Sequence, residues 1–202
     1  MIRVLGREKI EAMQAKVGIR APAANVPFLT TMELFKLKGV AQGAGQDALG
    51  RRYLALDTKA RRKLLAGEVA TTPGSAVGAL FADGKPVLID KLEWFASPAD
   101  LARTMGWLDA HRATVGGKEA MRILAINPGI APTLAKQFAY VGYKGGSEPG
   151  VISMTVLVRD KADVGQDKAR VVSASWNNPA APVDELSFVA LVSRAVELLG
   201  KP

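Results

Sequence analysis

Between Phe138 and Trp176 the apolar residues change their period. Upstream they recur at helical spacing. Here they gather in short runs rich in Val, Ile, Tyr and Thr, broken by glycine and proline. Residues 138–143, 151–159 and 169–176 read as strands, with a turn at 165–168. Strands joined by connections this short pair antiparallel, because a parallel return needs a dozen or more residues. A loop at 177–182 leads into a helix over 183–199, with Leu186, Val189, Val192 and Val196 inward and Gly200 as its stop. The fold class that follows is α+β, an antiparallel sheet flanked by helices plus a helical lobe. On this reading 1–135 is the mainly helical part, and 136–202 holds the strands and the terminal helix.

The helical part carries its own punctuation. Met1, Ile2, Val4, Leu5, Ile10 and Met13 form the apolar stripe of a helix over about 3–17, stopped by Gly18. No Ser, Thr, Asp or Asn caps its start, so it reads as the middle of something longer. Residues 22–28 form a loop. Thr30 and Glu33 make a capping box for a short helix over 31–39. The glycine-rich 39–50 reads as flexible, and 53–66 as one basic amphipathic helix. Pro73-Gly74 and Asp83-Gly84 are turns. Ser97-Pro98-Ala99-Asp100 starts a helix: Ser97 caps it, Pro98 suits its first position, and Asp100 complements the positive end of its dipole. Leu101, Met105 and Leu108 line one face of it. A further helix over about 116–126 stops at Asn127-Pro128-Gly129.

Composition removes several kinds of chemistry. There is no cysteine, which excludes disulfides, thiol nucleophiles and cysteine metal sites, and His111 is the single histidine. A histidine-built metal centre is not expected, and a single histidine leaves few options for a Ser-His-Asp triad. The formal net charge is +8, with one denser run, Lys59-Ala60-Arg61-Arg62-Lys63. No aromatic residue interleaves with it, so it reads as a solvated helix face, and no nucleic-acid partner is expected. No run is long enough to span a membrane, and the start turns charged too soon for a signal peptide.

Four motifs bear on function. The stretch GAGQDALG at 43–50 fails as a dinucleotide loop, because a lysine-rich helix precedes it in place of a strand. It fails as a phosphate loop because Arg51-Arg52 stands where Lys-Ser/Thr is required, and no cofactor is implied. His111 falls at a helix end, where the dipole favours a cation and a structural role. Asp90 and Glu93, beside Trp94, offer either a carboxylate pair for general-base work or a charged loop rim. Lys144-Gly145-Gly146-Ser147 is either a hairpin corner or a working edge. Its glycines bare the backbone, Lys144 adds a fixed positive charge, and N–H groups on an exposed edge receive an oxyanion or carboxylate. That set suits acyl transfer on a substrate carrying a carboxylate.

Taken in order, these segments resemble the C-terminal portion of a class A β-lactamase-type serine hydrolase of the penicillin-recognising family. IRVLGREKIEAMQAKVGI resembles the helix after the family's Ser-Asp-Asn loop, and VPFLTTMELFKLK a feature of a subgroup with a longer middle segment. SPADLARTMGWL resembles the Thr-Pro helix that follows the omega loop. FAYVGYKGGSEPGV resembles the strand carrying the Lys-Thr-Gly motif, VISMTVLVRD and ARVVSASWN the next two strands, and VDELSFVALVSRAVELL the terminal helix. The resemblance spans nearly all 202 residues and is strongest from Trp94 onward. Its specificity lies in order and spacing.

The resemblance implies a single β-lactamase-like domain in which a serine attacks a carbonyl and an acyl-enzyme forms. Lys144 would take the motif lysine's role, setting the site's electrostatics and holding the substrate carboxylate. Gly145, Gly146 and Ser147 would line the substrate: Gly146 matches the motif glycine, and Ser147 places a backbone N–H at the oxyanion hole. Gly145 stands where the family has threonine or serine. The implied partner is a small molecule, a β-lactam or a D-alanyl peptide carboxylate, and the implied location is periplasmic or secreted. None of the eight serines has a lysine three positions on, and Ser-Asp-Asn, Tyr-x-Asn and Glu-x-x-Leu-Asn are absent. The resemblance places both serine motifs upstream of Met1. The chain is therefore expected to be inactive alone, to leave a sheet edge open, and to form a homo-oligomer or be complemented by an N-terminal segment. An alternative keeps the scaffold as a non-catalytic binding or assembly domain, with an anionic ligand at the same edge.

Overall fold

The computed structural model describes residues 2–40, 48–78, 80–161 and 168–200. Most of the glycine-rich 39–50 and most of the expected turn at 165–168 lie outside them. The chain opens with α1 (Ile2–Leu5) and α2 (Arg7–Lys16). The expected continuous helix is broken at Gly6, whose φ of 86° lies outside any right-handed helix. Val4 and Leu5 are accordingly exposed and form no buried stripe. Helix α3 (Thr31–Gly39) matches the sequence expectation, with the Thr30–Glu33 capping box closed in both directions.

The expected single helix over 53–66 is two. Helix α4 (Ala48–Leu54) stops, and α5 (Thr58–Leu64) starts afresh. The cause is local: the Asp57 carboxylate accepts the Ala60 N–H at 2.7 Å and caps a new N-terminus. Helix α5 runs on into a π turn, Leu65–Val69, and the buried Lys36 ammonium donates to its Val69 carbonyl at 2.8 Å. Leu34, Leu37, Leu49, Tyr53, Leu65 and Val69 make the core of this lobe. Part of the basic run is engaged within it. Arg61 donates to the Tyr53 and Leu54 carbonyls and lies over the Tyr53 ring, while Arg62 pairs with Glu11.

Helix α6 (Pro98–Ala110) begins on the expected Ser97 cap, with Asp100 closing a capping box back to it, followed by α7 (Val115–Leu124) and the short α8 (Pro132–Ala135). Strands β1 (Phe138–Glu148), β2 (Val151–Asp160) and β3 (Arg170–Asn177) form one antiparallel sheet in the order β1-β2-β3, and α9 (Glu185–Leu199) closes the fold. The α+β class read from the sequence is the one observed.

Helices cover both faces of the sheet. On one, Phe188, Val192 and Val196 of α9 pack on Val141, Ile152, Met154, Val156 and Val158. On the other, Met105 of α6 and Met121 of α7 meet Leu157. Leu186, expected inward, is 85% exposed, because it sits about 200° around the helix from Phe188, which takes the inward place. A register shift between Phe138 and Tyr140 sends these two residues to opposite faces. Tyr140 then donates its hydroxyl to the Met121 carbonyl at 2.8 Å.

Strand β1 is longer than expected and runs through Lys144–Ser147 to Glu148. The hairpin corner is Pro149-Gly150, with Gly150 at φ 86° and Glu148 opposite Val151. The four residues are therefore strand, and the corner reading of them does not hold.

Candidate functional site

The sheet's hydrogen-bond phase decides what the 144–147 edge presents. The Asn178 N–H donates to the Gly150 carbonyl at 2.7 Å, continuing the register of β2 with β3. Residues alternate between bonding one neighbour and the other. Ile152 and Met154 therefore bond toward β3, and Val151, Ser153 and Thr155 toward β1. Their β1 partners Glu148, Gly146 and Lys144 point inward to β2. The residues between them, Gly145 and Ser147, turn their N–H and C=O groups to the free side of β1. The Lys144 ammonium bonds to the Gly145 carbonyl on that side, in agreement with this phase.

Lys144 and Gly146 are exposed and share the α6–α7 face of the sheet with Ser153, opposite Gly146, whose hydroxyl bonds that of Ser175 at 3.0 Å. Gly145 lies on the α9 face beside Tyr143. A Cβ at Gly145 would overlap the Tyr143 hydroxyl and come within 2.9 Å of the Ser153 carbonyl oxygen. The space a side chain at position 145 would need is thus taken by a tyrosine lying along the strand. Burial pushes the Tyr143 hydroxyl above its ordinary range.

The carboxylate pair is not Asp90 with Glu93. Asp90 is exposed, 4.0 Å from the Lys91 ammonium. Glu93 instead meets Glu148, and the Lys38 ammonium binds both carboxylates. The Lys38 side chain is 0% exposed, and those of Glu93 and Glu148 are 16% and 11% exposed. The Glu93 loop is pinned on both flanks. Leu92 sits in the helical core, the Trp94 indole donates to the Leu29 carbonyl at 3.0 Å, and Asn25 bonds both backbone groups of Phe95. Desolvation first, and then the neighbouring Glu93, push the Glu148 carboxyl up to about 8, against the pull of Lys38.

Sequence reading reached Glu93 but not Lys38 or Glu148. A signal for Lys38 exists: it lies four residues after Leu34, on the core stripe of α3, where a charge needs a partner. Glu148 has no such signal, because its surroundings come from elements distant in sequence. His111 caps α6, stacks on Trp107 at 3.9 Å and bonds the Trp107 carbonyl through Nδ1 at 2.7 Å, which is the structural role expected. Among the described residues no group of three His, Cys, Asp or Glu side chains is arranged to hold a metal ion. No protein-family model and no curated protein matches the chain.

Proposed function

We propose that the Lys144–Ser147 edge is one wall of a site for a small molecule carrying a carboxylate, on a β-lactamase-like serine hydrolase scaffold. The observation that carries this reading is the outward phase of Gly145 and Ser147 beside the exposed Lys144. Lys144 supplies the positive charge, and the Ser147 N–H is a fixed donor for a developing oxyanion. The reaction assigned to the scaffold is acyl-transfer hydrolysis of a β-lactam or a D-alanyl peptide amide. A nucleophile in a Ser-x-x-Lys setting is absent from the 202 residues, so the chain alone binds without turnover. One observation favours the second reading, a non-catalytic binding or assembly domain. The Tyr143 hydroxyl occupies the space of the motif's threonine, and the carboxylate of Glu148, next along the strand, is tied with Glu93 to Lys38.

The test is an amide chemical-shift titration with benzylpenicillin and with D-alanyl-D-alanine, each at millimolar concentration. Shifts confined to Gly145, Gly146 and Ser147, lost in Lys144→Ala, are expected, with no hydrolysis of nitrocefin. An unperturbed edge, or shifts that survive in Lys144→Ala, would sink the reading. Nitrocefin turnover by the chain alone would show that its nucleophile lies outside the Ser-x-x-Lys pattern.

A further inference from the structure

We infer that Lys38, Glu93 and Glu148 form a proton-controlled latch, in which one proton shared by the two carboxyls holds the end of β1 and the 86–96 loop against α3. Lys38 comes from α3, Glu93 from the loop before α6, and Glu148 from the last position of β1. No other described ion pair joins these three parts of the chain. The charge count supplies the mechanism. One ammonium and two ionised carboxylates would leave a net negative charge where water barely reaches, at 0%, 16% and 11% side-chain exposure. One retained proton makes the cluster neutral and lets one carboxyl donate to the other. When that proton leaves, two carboxylates face each other across a single ammonium, and separating them relieves the repulsion.

The other charged groups on the packed elements are engaged elsewhere. On α3, Glu33 pairs with Arg7, and Lys36 bonds the Val69 carbonyl. On the loop and its approach, Asp83 pairs with Lys85 and Asp90 with Lys91. On β1, Lys144 bonds the Gly145 carbonyl. On α4 and the π turn, Arg52 pairs with Glu68, and Arg51 is exposed. The proton at Glu148 is therefore governed by the contacts among the latch's own three members.

The sign follows from Glu148, whose carboxyl is held near 8 in the folded chain against 4.5 ordinarily. Between those values the folded chain keeps a proton that the unfolded chain has lost, so stability falls as pH rises through this window and levels above it. One proton corresponds to about a tenfold loss in the folding equilibrium constant per pH unit in mid-window. The inference rests on the cluster alone and does not depend on a ligand at the edge.

The experiment is urea unfolding of the whole chain from pH 5.5 to 9.5, with amide protection factors read over the same range. The wild type is expected to lose stability with a one-proton slope, and protection in 86–96 and 146–151 to fall with it. Glu148→Gln keeps a hydrogen-bonding group that does not titrate, so it should flatten the slope and retain protection at pH 9. Glu93→Gln serves as the independent second variant with the same expectation. A wild-type profile without slope overturns the latch. So does an unchanged slope in both glutamine variants, or protection lost evenly along the chain.

Discussion

Gly145 and Tyr143 share one volume on the α9 face of the sheet. Any side chain at Gly145 meets the Tyr143 ring first and the Ser153 carbonyl next. Gly145→Ala should therefore lower stability by about 1–3 kcal/mol, the range for forcing an atom into a filled space. Gly145→Ala with Tyr143→Ala should cost less than the sum of the two, because the tyrosine is the main obstacle. A double-mutant cycle by urea unfolding reads this coupling, and additive costs would show that the tyrosine is not what excludes a Cβ. Asp100 behaves differently. The Ser97 N–H bond, opposed by desolvation and reinforced by the Arg20 N–H and Arg103, holds its carboxyl at about 2. A carboxylate lowered in this way stabilises the fold above its ordinary 3.8, and the contribution fades as pH falls through about 2. Asp100→Asn should cost about 1 kcal/mol at neutral pH. That cost should shrink below pH 4, as followed by unfolding midpoints at stepped pH.

At the level of elements, two glycines four residues apart report where β1 ends. Gly150 has φ 86° and would place a Cβ 2.5 Å from the Asn178 carbonyl oxygen, whereas nothing lies within 4 Å of a Cβ at Gly146. Gly150→Ala should destabilise the hairpin by about 1–3 kcal/mol, while Gly146→Ala should be neutral or gain about 0.5 kcal/mol. Thermal unfolding of the pair distinguishes this corner from one at Gly145-Gly146, for which the order would reverse. Helix starts were legible in the sequence where a Ser or Thr stands three residues before an acidic residue. Thr30 with Glu33 and Ser97 with Asp100 are such pairs, readable because a cap is chemistry within four residues. Asp57 caps without such a partner, and its cap divides what the basic periodicity of 53–66 joins, so this start was not read. The length of β1 was not legible. Lys144, Gly145 and Gly146 have low strand propensity and are held by β2 alone. The candidate edge could be read from Lys144 to Ser147. Lys38 shows in the sequence as a charge on the core stripe of α3, but its pairing with Glu148 does not, because that pairing spans 110 residues.

Across the whole molecule, the sheet has two free edges among the described residues, and they differ in chemistry. The edge of β1 carries Lys144 and Glu148, and natural edges are commonly protected by such charges. Strand β3 carries a charge only at its first residue, Arg170; from Val171 to Asn177 it has no charge, no proline and no register shift, and its Trp176 is 41% exposed. No helix among the described residues is long and apolar enough to cross a membrane. The uncharged stretch from Val171 to Asn177 meets the same stretch of a second copy without electrostatic repulsion, and we propose that the chain associates through it. The sheet's phase gives a sharp way to test this. Val156, Met154 and Ile152 bond Val172, Ala174 and Trp176, so Val171, Ser173 and Ser175 turn their N–H groups away from β2. Ser175→Pro removes one outward donor and leaves the ladder to β2 whole, so it should abolish association in a folded chain. Trp176→Pro removes an inward donor and should unfold the sheet. Light scattering over a hundredfold concentration range reads both, with circular dichroism confirming the fold. The wild-type mass should rise with concentration, and the Ser175→Pro mass should stay at 21.4 kDa. A wild type that stays at that mass throughout, or a folded Ser175→Pro that still associates, removes β3 as the contact.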